Sequence, residues 1–79
     1  MEIRILGPGC PRCEDVMKRT IDVLAELGLA ADVQKITDLM KIAEYKVIAT
    51  PGLVINGKVK SVGKIPSKDE IKKWITEEQ

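Results

Sequence analysis

The sequence predicts an α/β fold with the element order βαβαββα: a four-stranded mixed sheet with helices on both faces. Three observations point to it. A short apolar run at 3–6 is followed by Gly7-Pro8-Gly9 and then by apolar residues at helical spacing, which reads as strand–turn–helix. A second strand-like stretch comes next, so the first three elements form a βαβ unit with parallel strands and a right-handed crossover. Further on, Asn56-Gly57 separates two strand-like runs. That dipeptide signals a tight antiparallel hairpin, because a type I′ turn needs φ > 0 at both central positions.

Taken in order, residues 3–6 form the first strand. A helix over 11–27 follows, with Pro11 at its first position and Gly28 just past its end. Its apolar residues, Val16, Met17, Ile21, Leu24 and Leu27, place one face toward the core. Residues 30–36 form the second strand, Ala31 and Val33 alternating with Asp32 and Gln34. Thr37 or Asp38 caps a short helix from 39 to about 45, with Leu39, Ile42 and Ala43 facing inward. Residues 47–49 lead into Thr50-Pro51-Gly52, and the hairpin runs over 53–55 and 58–62. Gly63 and Pro66 end it. Ser67 and Glu70 have the spacing of a capping box, and the last helix buries Ile71, Trp74 and Ile75. Trp74 and Met17 read as core residues.

With 79 residues, residues 1–79 are expected to form one domain. A chain near this size buries only about 60% of its unfolded surface, so the core is modest. Forty-four per cent apolar residues is a globular composition, and a net charge of +1 gives no basic excess. Nucleic acid is therefore not an expected partner. No run approaches the roughly 18 apolar residues of a membrane span, and no signal peptide is visible. The expectation is a cytoplasmic monomer. With no histidine in the chain, imidazole bases and imidazole metal ligands are excluded.

The two cysteines, Cys10 and Cys13, flank Pro11-Arg12 at the predicted strand–helix junction. Residues i and i+3 of a helical turn are neighbours, with Cβ atoms about 5–6 Å apart. A small adjustment reaches the ~3.5–4.5 Å that a disulfide needs. As a staple the bond would contribute little: a four-residue loop gives roughly 2 kcal/mol, against about 4.7 for a hundred-residue loop. In a cytosolic chain a lone CxxC is more often catalytic than structural. Redox exchange is thus the leading reading, with buried apolar cysteines or a metal site as alternatives.

Cys10 falls at the N-cap, where free N–H groups and the positive end of the helix dipole favour a thiolate. Arg12 adds a positive charge, while Glu14 and Asp15 oppose it. The expected outcome is a lowered Cys10 pKa. A thiol with pKa ~8.5 is only about 3% ionised at pH 7, and one with pKa ~7 is half ionised. Cys13 begins the apolar stripe, which suits a more buried, resolving thiol.

These features together resemble the small thioredoxin- and glutaredoxin-fold proteins, and most of all the minimal microbial type sometimes labelled redox-active disulfide protein 2. The resemblance covers nearly the whole chain. It rests on Gly7-Pro8-Gly9-Cys10-Pro11-Arg12-Cys13, on Ala49-Thr50-Pro51 about forty residues later, and on the Asn56-Gly57 hairpin ending at Val62-Gly63. It implies a thioredoxin-like fold, a cis Thr50–Pro51 bond against the disulfide, and a Thr50 backbone free to pair with substrate. Two departures stand out. Arg4 holds the place where thioredoxins carry a buried acid, and Gly9 replaces their tryptophan before the first cysteine.

The resemblance implies a thiol–disulfide oxidoreductase acting on protein disulfides and recycled by an external reductase or dithiol. Cys10 and Cys13 would be catalytic; Pro11, Arg12, Thr50 and Pro51 would shape the substrate site. No cofactor beyond the Cys10–Cys13 disulfide and no metal is expected. The alternative is a metal-binding or metal-carrier module. With two cysteines and no histidine, a four-sulfur site would require a dimer.

Overall fold

In the computed structural model, which describes residues 1–9 and 11–79, the elements are β1 (Glu2–Leu6), α1 (Pro11–Leu27), β2 (Asp32–Ile36), α2 (Leu39–Glu44), β3 (Gly52–Ile55), β4 (Lys58–Val62) and α3 (Lys68–Glu77). The strands lie in the order β2-β1-β3-β4. β1 and β2 are parallel, with Leu6 opposite Ile36; β1 and β3 are antiparallel, with Leu6 opposite Gly52; β3 and β4 are antiparallel. This is the mixed α/β sheet that the sequence predicts.

Strand alternation divides the core between two faces. Ile3 and Ile5 of β1 and Leu53 and Ile55 of β3 point toward α1 and α3, where they meet Val16, Val23, Leu24, Ile71 and Ile75. Leu6 and Val54 point the other way, toward Ile42 of α2. Fully burying one such side chain is worth about 1.5–3 kcal/mol, so the α1/α3 face supplies most of the packing energy. Trp74 and Met17 pack against that face only partly buried.

Local signals set the boundaries. Gly28 (φ 66°) ends α1, and its amide bonds the Ala25 carbonyl. Asn56 (φ 51°) and Gly57 (φ 80°) make the turn between β3 and β4. At α3, Ser67 and Glu70 exchange both bonds of the capping box.

Three expectations are corrected. β2 starts at Asp32 rather than at residue 30, because its partner starts at Glu2, opposite Asp32. In α2, Leu39 is 68% exposed and Ala43 is exposed. Only Ile42 reaches the sheet, since a six-residue helix has room for one inward contact. In α1, Ile21 is 49% exposed, and the buried stripe runs instead through Cys13, Val16, Thr20, Val23 and Leu24. Thr20 can be buried because its hydroxyl donates to the Val16 carbonyl at 2.8 Å.

Candidate active site

The carboxyl ends of β1, β2 and β4 and the start of β3 lie at one edge of the sheet, as the pairings of Leu6 with Ile36 and of Gly52 with both Leu6 and Val62 require. The chain leaving β1 at this edge enters α1 through Gly7-Pro8-Gly9. Gly7 stays tied to the sheet by its N–H bond to the Ile36 carbonyl, 3.0 Å. Pro11 and Arg12 open α1 and are exposed, and Cys13 faces inward with no exposed surface. Cys10 lies outside the described residues, and with it the expectations for its N-cap placement and its pairing with Cys13.

The segment entering β3 closes the site from the second side. The Thr50–Pro51 peptide bond is cis. Pro51 is buried and Thr50 half-buried. A Cβ placed on Gly7 would lie 3.9 Å from the Thr50 Cβ and 3.2 Å from the Cys13 Cβ. The strand–helix turn, the cysteine and the Thr-Pro step therefore converge, an arrangement that the family resemblance, not the local residue pattern, implies.

A third segment links the other two. The Gly63 N–H donates to the Pro51 carbonyl at 2.9 Å. The Gly63 carbonyl accepts from Arg12 Nη2 at 3.0 Å. Gly63 holds φ 72°, and a Cβ there would come within 3.0 Å of the Ala49 Cβ. Both its backbone angle and this close approach favour glycine. In the sequence Gly63 reads as a strand breaker and as the end of the hairpin that carries the resemblance. Its role as a bridge is a long-range contact made through main-chain atoms, and the glycine itself is the one available signal.

Arg4 belongs elsewhere. On β1 it shares a face with Leu6, but its guanidinium turns to the far end of β2. There it bonds the Asp32 carbonyl at 2.8 Å and pairs with Asp32 Oδ2 at 3.2 Å. Asp32 is four residues along β2 from Ile36, about 13 Å at a strand's rise per residue. The charge that replaces the expected acid is therefore directed away from the cysteine edge.

The shifted carboxylates and lysine belong to ion pairs made by α3 and its flanks. Glu26 is held below the ordinary carboxylate value by its hydrogen bond from Lys68, and Lys68 is raised by the same bond. Glu70 is lowered chiefly by Lys64 and by the Ser67 amide, and Glu78 chiefly by Lys60. These pairs tie α3 to α1, to the loop before it and to β4.

Comparison with known proteins identifies the family to which this fold belongs. The family model described as a thioredoxin domain matches residues 1–76. A thioredoxin of Methanothermobacter thermautotrophicus is 40% identical over 76 residues, covering 96% of this chain and 99% of the relative. A thioredoxin of Methanocaldococcus jannaschii is 42% identical over 73 residues, covering 92% and 84%. A probable thioredoxin of Methanothermobacter thermautotrophicus is 36% identical over 75 residues, covering 91% and 87%. The chain is a thioredoxin-type redox protein and belongs to the thioredoxin family.

Proposed function

We propose that this protein reduces disulfide bonds of protein substrates through Cys10 and Cys13, with Pro11, Arg12, Thr50 and Pro51 shaping the surface that receives them. The Cys10 thiolate attacks one sulfur of the substrate disulfide. The other substrate sulfur leaves as a thiolate and takes a proton from solvent, and a Cys10–substrate mixed disulfide remains. Cys13 gives up its proton and attacks the Cys10 sulfur. The Cys10–substrate bond breaks, the Cys10–Cys13 bond forms, and two electrons have passed from the dithiol to the substrate. An external reductase or dithiol returns the pair to the reduced state. The proposal includes one domain over residues 1–79, working as a monomer in the cytoplasm.

The observation that carries this reading is the burial of Cys13. Its relative exposure is 0%, so a folded protein substrate has no direct access to it. A thiol in that position acts on what its neighbour three residues earlier delivers. Around the same edge, Ile48 is 96% exposed, Met40 78% and Leu39 68%. Those side chains sit on segments adjoining the site and supply apolar surface suited to a polypeptide.

Reduction of insulin disulfides, followed by precipitation of the free chains in the presence of a small dithiol, tests the proposal. Wild type should accelerate precipitation. Cys10→Ser should abolish the acceleration, because it removes the attacking sulfur. Activity of Cys10→Ser equal to wild type would refute the assignment.

A further inference from the structure

Gly7 belongs to the turn before α1, and two observations separate its role from that of the glycine two residues on. Gly9 holds φ +93° and has open space where a Cβ would be, so it serves backbone conformation. Gly7 has no such φ; instead, a Cβ there would approach Cys13 Sγ to well under 3.0 Å, a separation that real Cβ atoms essentially never show. Space, not backbone freedom, is what Gly7 provides.

We infer that Gly7 is a positioning residue for Cys13: its missing side chain is the seat in which the Cys13 sulfur rests. The seat is rigid on both sides. Gly7 directly follows Leu6, which is fully buried and paired with both Ile36 and Gly52. Its own N–H is held by the Ile36 carbonyl. The Cys13 Cβ, 3.2 Å from where a Gly7 methyl would sit, is fixed by the first turns of α1. With Gly7→Ala the main chain has little room to retreat. The sulfur must rotate about χ1 or the helix start must shift. In a helix the χ1 choices are few, because the g+ rotamer clashes with the preceding turn. Either route moves the sulfur by on the order of 1 Å, a misplacement that can cost about 100-fold in a reaction between fixed groups.

This inference rests on the proposed role of Cys13 as the resolving thiol, so its test separates the two steps. The probe is 5,5′-dithiobis(2-nitrobenzoate) mixed with reduced protein in a stopped-flow instrument. Attack by Cys10 breaks the aryl disulfide and releases one thionitrobenzoate. Attack by Cys13 on the Cys10 sulfur then releases the second, forms the Cys10–Cys13 bond and gives the Cys13 proton to solvent. In wild type both releases should appear, and Cys13→Ser should lose the second. A wild type that behaves like Cys13→Ser overturns the resolving role itself.

With both releases present in wild type, Gly7→Ala should keep the first within about twofold and slow the second by about tenfold or more. A second release slowed by less than that, or equal slowing of both, overturns the inference. If Gly7→Ala fails to fold, the double variant Gly7→Ala/Cys13→Ala decides, because it removes the sulfur that the new methyl would meet. Folding of the double variant like Cys13→Ala supports the seat; failure of the double variant to fold overturns it.

Discussion

Arg4→Met separates what the Arg4 side chain does for the fold from what it does for the thiols. Methionine keeps an apolar stem of similar length, so packing along the sheet is largely preserved. The guanidinium's bonds to the Ile3 carbonyl (3.0 Å) and the Asp32 carbonyl (2.8 Å) are lost. So is the pair with Asp32, whose side chain is 56% exposed. An exposed pair of that kind contributes at most about 1 kcal/mol. Each carbonyl bond contributes about 0.5–1.5 kcal/mol, and water replaces part of the bond at the exposed Asp32 carbonyl. The expected loss is roughly 1–2 kcal/mol, from a total stability of about 4–12 kcal/mol for a domain of this size. Thermal unfolding should shift down by about 4–8 °C per kcal/mol lost. At the thiols the effect should be slight. Across about 13 Å in a water-like dielectric, a unit charge contributes roughly 0.3 kcal/mol, or about 0.2 pKa units, before ionic screening. Two assays decide: thermal unfolding by circular dichroism, and the pH dependence of iodoacetamide alkylation. An alkylation midpoint that rises by half a unit or more with Arg4→Met would refute the placement of that charge away from the site.

Arg12→Ala removes the bond to Gly63, worth about 1 kcal/mol, but also a cation from the first turn of α1, where the helix dipole disfavours it by about 0.3–1 kcal/mol. Unfolding should therefore shift little, while the KM for a protein disulfide should rise as the Gly63–Pro51 segment loosens; an unchanged KM removes Arg12 from the substrate surface. Glu26, Glu70 and Glu78 all have folded pKa values below the ordinary 4.5. Their stabilisation is fully present above 4.5 and is lost as the pH falls through the lower folded values. Acid melts should be flat near neutrality and decline below about pH 4.5, less steeply in Glu78→Gln; an equal slope in that variant contradicts a role for the Lys60–Glu78 pair.

Elements marked by local chemistry were legible in the sequence. Pro11 and Gly28 bracket α1 as expected, Asn56-Gly57 turns the hairpin, and Ser67 with Glu70 starts α3. Elements that depend on reach were less so. Leu39 satisfies an apolar pattern yet remains exposed, because α2 touches the sheet only through Ile42. Thr20 breaks the apolar pattern and is buried, because its hydroxyl finds the Val16 carbonyl within its own helix. The convergence of Cys13 with Thr50-Pro51 was legible only through the family resemblance, because it joins segments about forty residues apart. The Gly7 seat and the Gly63 bridge were not legible, since a glycine leaves no side-chain pattern to show what it approaches.

Trapping the mixed disulfide tests the central claim most directly. Cys13→Ser retains the attacking sulfur and removes the resolving one. Incubated with disulfide-bonded insulin, it should accumulate a covalent adduct through Cys10 that mass spectrometry detects and dithiothreitol cleaves. Cys10→Ser should form no adduct, because its remaining sulfur is buried. An adduct formed through Cys13 in the Cys10→Ser protein, with none in Cys13→Ser, would contradict the account.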